Sequence, residues 1–296
     1  MNSFEENLDS VAAKLLKNVP DGERVTVMVA AFEGWNDAGE AASDALRHLI
    51  HAWNAKKIAV IDADEFYDFQ FTRPTIRTTA SGARKIKWPS TKISKASLPD
   101  RNVDVVFVHG TEPSYKWRAY TAEVLLQAEQ LNVDYVILVG ALLADVPHTR
   151  PIPITTTCDD PEVRERLNLE ASNYEGPVGI VSVLGEMAKL AGIPAISLWA
   201  AVPHYVAQSP SPKAQLALLH GIEDLLEIPL DTADVAEDAE AWERGVNELA
   251  TDDPEIAAYV RQLEEAKDTA ELPEASGESI AREFERYLKR RGQENP

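Results

Sequence analysis

The feature that most constrains this chain is an alternation, from Arg24 to about Pro229, of short Val/Ile/Leu-rich runs with longer stretches whose apolar residues recur at helical spacing. Val25–Phe32 is a β-rich run that ends at Gly34. Asp37–Trp53 then carries Ala38, Ala41, Ala42, Ala45, Leu46, Leu49, Ile50 and Trp53 at the spacing of one helix face. Asn36 or Asp37 is placed to cap that helix, because a side-chain oxygen there accepts a free backbone N–H. Ile58–Ile61 reads as a second short buried strand, Val103–Val108 as a third and Tyr135–Val139 as a fourth, with Ile193–Ala200 as another. Helices are predicted from Glu112-Pro113-Ser114 through Leu131, over Ile180–Ala191 closed by Gly192, and over Lys213–Leu226. Apolar strands alternating with helices predict a mostly parallel, mixed sheet covered on both faces, a three-layer α/β/α sandwich.

Two segments depart from this rhythm. Within Phe69–Trp88, Thr75–Thr79 and Ala83–Trp88 are β-prone and flank Ser81-Gly82, which predicts an antiparallel hairpin on an edge or projecting as an arm. After Pro229 the composition shifts, and eleven of the twenty excess negative charges fall in Leu230–Pro296. The chain therefore divides into an α/β domain over residues 1–229 and an acidic helical extension over 230–296. In the extension, Ala239–Leu249 and Pro254–Ala266 read as helices joined by Thr251-Asp252-Asp253, which suits an N-cap with Pro254 at the first helical position. Thr269–Gly277 reads as a linker, and Ser279–Arg290 as a third helix.

The net charge of -20 over 296 residues repels phosphate backbones and anionic lipid, which argues against nucleic-acid and membrane partners. Arg73, Arg77, Arg84, Lys85, Lys87 and Lys92 form one loose basic group, read as a solvated hairpin face. Cys158 is the single cysteine, so no intrachain disulfide forms, and the neighbouring Asp159 and Asp160 disfavour a reactive thiolate. The polar, acidic N-terminal segment and the lack of any apolar run of ~18 residues lead to an expectation of a cytoplasmic location.

In an open parallel sheet, ligands bind beyond the carboxyl ends of the strands. Four loops hold that position: Glu33 to Gly39, His109 to Ser114, Ala144 to Arg150, and Val202-Pro203-His204-Tyr205. Gly34 and Gly39 have phosphate-loop spacing, but Glu40 and Ala41 stand where Lys and Ser/Thr are needed. Asp145, His148 and Arg150 are the densest polar cluster. An Asp–His pair there would position a general base and the Arg would bind an anion. The alternative is an Asp145–Arg150 pair that fixes the loop, with His148 bonded to backbone. Glu112, Asp145, His148 and His204 have metal-binding chemistry without a metal motif, and no GxSxG elbow is present. No catalytic set, metal site or cofactor is assigned. His48, His51, His109 and His220 read as structural or surface groups, and Trp117, Trp199 and Trp242 as packing anchors.

Four segments together resemble the PAC2 (proteasome assembly chaperone 2) family, in its actinobacterial form. They are Ala31 to Gly39, Glu112 to Arg118, Gly140 to Pro151 and Leu198 to Val206, with Tyr174-Glu175-Gly176-Pro177 as a further match. The resemblance covers about Arg24–Pro229. It implies a sandwich similar to phosphorylase/hydrolase-like folds, self-association into a homo-oligomer, and a non-enzymatic interaction or assembly-chaperone role with proteasome α-type subunits as partners. Some relatives dock through a C-terminal hydrophobic–Tyr–X tail, whereas Tyr287 here is nine residues before Pro296. The alternative readings are a phosphorylase- or hydrolase-like small-molecule enzyme and a ligand-binding sensor. Either would use the rim of Gly34, Trp35, Asn36, Asp37, Glu112, Asp145, His148, Arg150 and His204.

Overall fold

Successive side chains of β1 (Val25–Glu33) point to opposite faces and enter two separate cores. Val25, Val27, Val29 and Ala31 join one core, and Met28, Ala30 and Phe32 the other. A strand apolar at nearly every position demands cover on both sides, and the computed structural model, which describes Leu15 and residues 24–271, supplies it. The remaining strands are β2 (Lys56–Ile61), β3 (Thr75–Thr78), β4 (Arg84–Lys87), β5 (Thr91–Leu98), β6 (Val103–Thr111), β7 (Tyr135–Ala144), β8 (Ile154–Cys158) and β9 (Ala195–Pro203). The helices are α1 (Ala41–Ala52), α2 (Trp117–Gln130), α3 (Pro161–Leu167), α4 (Ile180–Leu190), α5 (Pro212–Leu226), α6 (Ala233–Asp252) and α7 (Pro254–Glu271).

Seven strands form one mixed sheet in the order β2–β5–β6–β1–β7–β9–β8. Its centre, β6–β1–β7–β9, is parallel, and β5, β2 and β8 add antiparallel edges. Helices α1 and α5 cover one face, where Ala41, Ala45, Leu46 and Leu49 of α1 are fully buried; each such leucine contributes about 1.5–3 kcal/mol. Helices α2 and α4 cover the other through Tyr120, Val124, Ile180, Val181 and Leu184. Helix α6 packs on α5 and α7 on α6, with Val235, Ala239, Val246 and Ala250 as the buried stripe of α6.

Several expectations change in detail. Ile58–Ile61 belongs to an edge strand rather than a buried one. β2 has a neighbour on one side only, and Ile58 and Val60 are about half exposed. β5, β8 and α3 were not read from the sequence. α6 is longer than Ala239–Leu249, and α7 continues through Thr269 to Glu271, where a linker was expected. The predicted helix Ser279–Arg290 and Tyr287 lie outside the described residues. β3 and β4 pair as an antiparallel hairpin separate from the main sheet. No described helix is long and apolar enough to cross a membrane.

The connections place one crevice. β1 leads to α1 on one face, whereas its parallel neighbour β6 leads to α2 on the other. The loops after Glu33 and Thr111, which are register partners, therefore diverge at a topological switch point.

Candidate functional site

The switch-point crevice is closed by the chain's own carboxylate. Glu112 Oε1 accepts from Asn36 Nδ2 at 2.8 Å and from the backbone N–H of Ile180, the first residue of α4, also at 2.8 Å. Free N–H groups and the helix dipole make such a terminus a seat for an anion, and here Glu112 occupies it. Asn36 is almost fully buried, and its backbone oxygen accepts from Ala141 N at 2.8 Å, which ties the loop to β7. Gly179 permits the contact from the other side, because a Cβ there would lie 2.1 Å from Asn36 Nδ2.

The glycines with phosphate-loop spacing serve a similar self-contained end. Asp37 Oδ1 accepts from Ala42 N at 2.8 Å and Ser43 N at 3.1 Å, so its carboxylate caps α1 across an intervening turn. Gly39 has φ +62° and lies so close to Ser211 that a Cβ would approach the serine Cβ to 2.6 Å. Burial raises the Asp37 pKa, opposed by its hydrogen bonds to Ser43 and Ala42 and by Arg47. Asn36 Oδ1, Asp37 Oδ2 and Ser211 Oγ are buried without a hydrogen-bond partner among the described residues.

The other half of the rim, at the ends of β7 and β9, is roofed by α6 and α7. His148 is fully buried. Tyr205 Oη accepts from His148 N at 2.7 Å and lies 2.8 Å from His148 Nδ1, while Nε2 lies 3.2 Å from Asn247 Oδ1 on α6. One arrangement satisfies all three contacts: a neutral ring that accepts from the tyrosine at Nδ1 and donates to Asn247 from Nε2. Burial, the largest influence, lowers the His148 pKa and pushes that of Tyr205 up to about 12. Lys213 joins the His148 carbonyl to Glu243 of α6.

Arg150 does not pair with Asp145. Its Nε and Nη2 donate to the two carboxylate oxygens of Asp268 at 2.9 and 2.8 Å, and Nη1 donates to Glu264 at 3.1 Å. Thr149 donates to the same Glu264 oxygen. Asp145, largely exposed, lies 3.2 Å from His204 Nδ1 and accepts from Tyr259 Oη at 3.2 Å, and it makes no contact with His148. The nine rim residues thus form two separate groups, Gly34–Asp37 with Glu112, and Asp145–Arg150 with His204.

Sequence reasoning gave no individual role at the rim to Asn247, Glu243, Glu264, Asp268, Lys213, Tyr205, Tyr259 or Gly179. The i,i+4 spacing of Glu264 and Asp268, four residues apart on one helix, was the available signal for a shared cation. Other candidates are structural. His48 Nε2 meets Asp231 O at 2.8 Å, Trp117 Nε1 donates to Pro113 O, and Trp199 packs so tightly on Gly140 that a Cβ there would collide at 2.6 Å. Cys158 is buried, and burial raises its pKa. Among the described residues no group of three or more His, Cys, Asp or Glu side chains is placed to hold a metal ion.

Comparison with known proteins follows the same architecture. A search of the curated proteins found no match. The crystal structure of a PAC2 family protein from Streptomyces avermitilis is 49% identical, with a TM-score of 0.75, over 79% of this chain and 99% of that one. A proteasome-assembly chaperone homologue from Mycobacterium tuberculosis is 46% identical, with a TM-score of 0.72, over the same shares of the two chains. An archaeal proteasome activator from Pyrococcus furiosus, at 18% identity and a TM-score of 0.62 over 79% of this chain and 97% of that one, shares the fold. The family model described as the PAC2 family matches residues 31–250, which takes in the sheet apart from the first six residues of β1, both halves of the rim and most of α6, and the chain belongs to that family.

Proposed function

We propose that this protein is a non-enzymatic assembly chaperone that works as a homo-oligomer and binds proteasome α-type subunits through the strand-end rim. One observation carries the reading. The rim is filled from within, by Glu112 at the α4 terminus and by α6 and α7 over His148, while large apolar side chains stand exposed beside the filled crevice. Trp35 is 65% exposed, and it precedes Asn36, whose backbone and side chain touch Ala141 and lie against Gly179. The next residue after Ala141, Leu142, and the residue before Gly179, Val178, are also exposed. An enzyme or sensor needs the polar rim groups to converge on one cavity, whereas these are paired to one another and to the extension. A protein partner needs an aromatic anchor among apolar neighbours. The 46%-identical Mycobacterium relative, a proteasome-assembly chaperone homologue, supplies the partner class.

The test is a titration of the full chain against purified proteasome α-subunits, read by light scattering. The wild-type chain is expected to form a discrete complex, and Trp35→Ala to weaken it roughly 30-fold, the loss of a typical aromatic anchor. No complex with the wild-type chain, or equal binding by Trp35→Ala, overturns the proposal.

A further inference from the structure

The hairpin β3–β4 stands apart from everything described above. All eight of its strand residues are exposed, and an isolated two-stranded ribbon is marginal in water without a covering surface. Ile76 and Ile86 are register partners, so both project from one face, at 58% and 56% exposure. Arg77 and Lys85 are partners on the opposite face. From Gln70 to Pro99 the chain carries seven basic residues and no acidic one, inside a protein of net charge -20. Of these, Arg73, Arg77, Arg84, Lys85 and Lys87 make no ion pair among the described residues.

The complementary surface lies on the same chain. The outward face of α6 runs Asp234, Asp238, Ala241, Gly245, Glu248 and Asp252, all exposed and spaced three or four residues apart. Nothing lies within 4 Å of the position a Gly245 Cβ would take, so the middle of this face is low and open, and Leu249 beside it is 64% exposed. Arg244, at the edge of the stripe, is held by Glu240 at 3.7 Å. Four extended residues span about 13 Å, and Asp238 to Glu248 on a helix spans about 15 Å.

We propose that the β3–β4 arm of one copy seats on the outward face of α6 in a second copy. The face of the arm that carries Arg77, Lys85 and Lys87 lies toward the acids of the stripe, with the arm backbone over the low centre beside Leu249. The pairing explains why an acidic protein keeps one acid-free stretch, and it works at close range, where the facing opposite charges lie nearer to one another than the net charges of the two bodies do. It rests on the self-association proposed above and names its surfaces.

Light scattering of the full chain at tens of micromolar tests it. The wild type is expected to be oligomeric, and to lose association at least ~10-fold between about 50 and 500 mM salt. Arg77→Glu/Lys85→Glu and Asp238→Lys/Glu248→Lys should each dissociate while keeping the wild-type melting temperature, and an equimolar mixture of the two should associate again. A wild type that is monomeric, including one whose arm retains nucleic acid instead, overturns self-association and this assignment with it. A wild type that is oligomeric, with both variants equally so, leaves self-association standing and removes the arm from the interface. Failure of the mixture to associate rules out the arm–α6 pairing.

Discussion

His109 should make this fold acid-sensitive well above the pH at which carboxylates protonate. It lies two residues before the end of β6 with its side chain 15% exposed, and Nε2 has no hydrogen-bond partner among the described residues. Burial pushes its pKa down to about 4. Arg47, Lys92 and Lys87 act in the same direction, and Glu33, 3.9 Å away, opposes them. An unfolded histidine takes up its proton near pH 6.5, and the folded one only near 4. Between those values the unfolded state holds more protons, so stability falls as pH falls. The gap corresponds to about 3 kcal/mol in full, of which about 2 kcal/mol is lost by pH 5. Urea denaturation of the wild type and His109→Gln from about pH 7 to pH 4.5 isolates this residue. His148, whose pKa burial also lowers, is present in both proteins and cancels in the difference. The wild-type stability should fall relative to the variant by about 2 kcal/mol between pH 7 and pH 5. A constant offset between the two curves, or an NMR titration of His109 near its ordinary value, would refute the reasoning.

Glu112→Ala removes two charge-assisted hydrogen bonds and leaves the buried Asn36 amide unpaired, so urea denaturation should show a loss of about 2–4 kcal/mol, with Glu112→Gln recovering part of it. Gly179→Ala drives a methyl to 2.1 Å from Asn36 Nδ2 and is expected to cost about 1–3 kcal/mol in the same assay; an unchanged midpoint would contradict the packing at the crevice. Arg150→Ala frees α7 from its clamp, so limited proteolysis should cut between Asp252 and Glu271 faster while melting of the sheet changes little. The Cys158 thiol should react slowly with a disulfide reagent in the native protein and immediately in urea, and fast native labelling would contradict its burial.

The parts of the fold that were legible are those where burial on both faces makes the local pattern unambiguous. Val25–Phe32 and Val103–Val108 are apolar at nearly every position because helices cover both sides of them, and α1 shows its stripe because only one face meets the sheet. β5 was obscured because Lys92 and Lys95 interrupt the positions of Ile93 and Ala96, and Lys95 is there to pair with Asp104 at 2.8 Å. α3 announced itself through Asp160 and Pro161, and Asp160 does accept from Val163 N, but at seven residues it has too little apolar periodicity to be read. For the candidate site, the strand pattern placed the four loops beyond β1, β6, β7 and β9 from sequence alone. It did not identify their partners, because Asn247, Glu264 and Asp268 are about a hundred residues distant in the chain from His148 and Arg150, and only tertiary packing brings them together.

The same packing changes what the chain's acidity means. Read along the sequence, the extension is a run of excess carboxylates. In the fold it is sorted, with Glu243, Glu264 and Asp268 paired to Lys213 and Arg150 while Asp234, Asp238 and Asp252 face outward. Glu112 and Asp37 sit at helix termini in the places a bound anion would take. A small anionic ligand would have to displace Glu112 and forfeit its two hydrogen bonds, about 3 kcal/mol, or roughly two orders of magnitude in affinity. A macromolecular partner faces no such competition, because Trp35, Leu142 and Val178 already lie outside the filled crevice. Filling the rim therefore does not silence it. It disfavours small anionic ligands and leaves Trp35, Leu142 and Val178 exposed, which suits the protein partner proposed above.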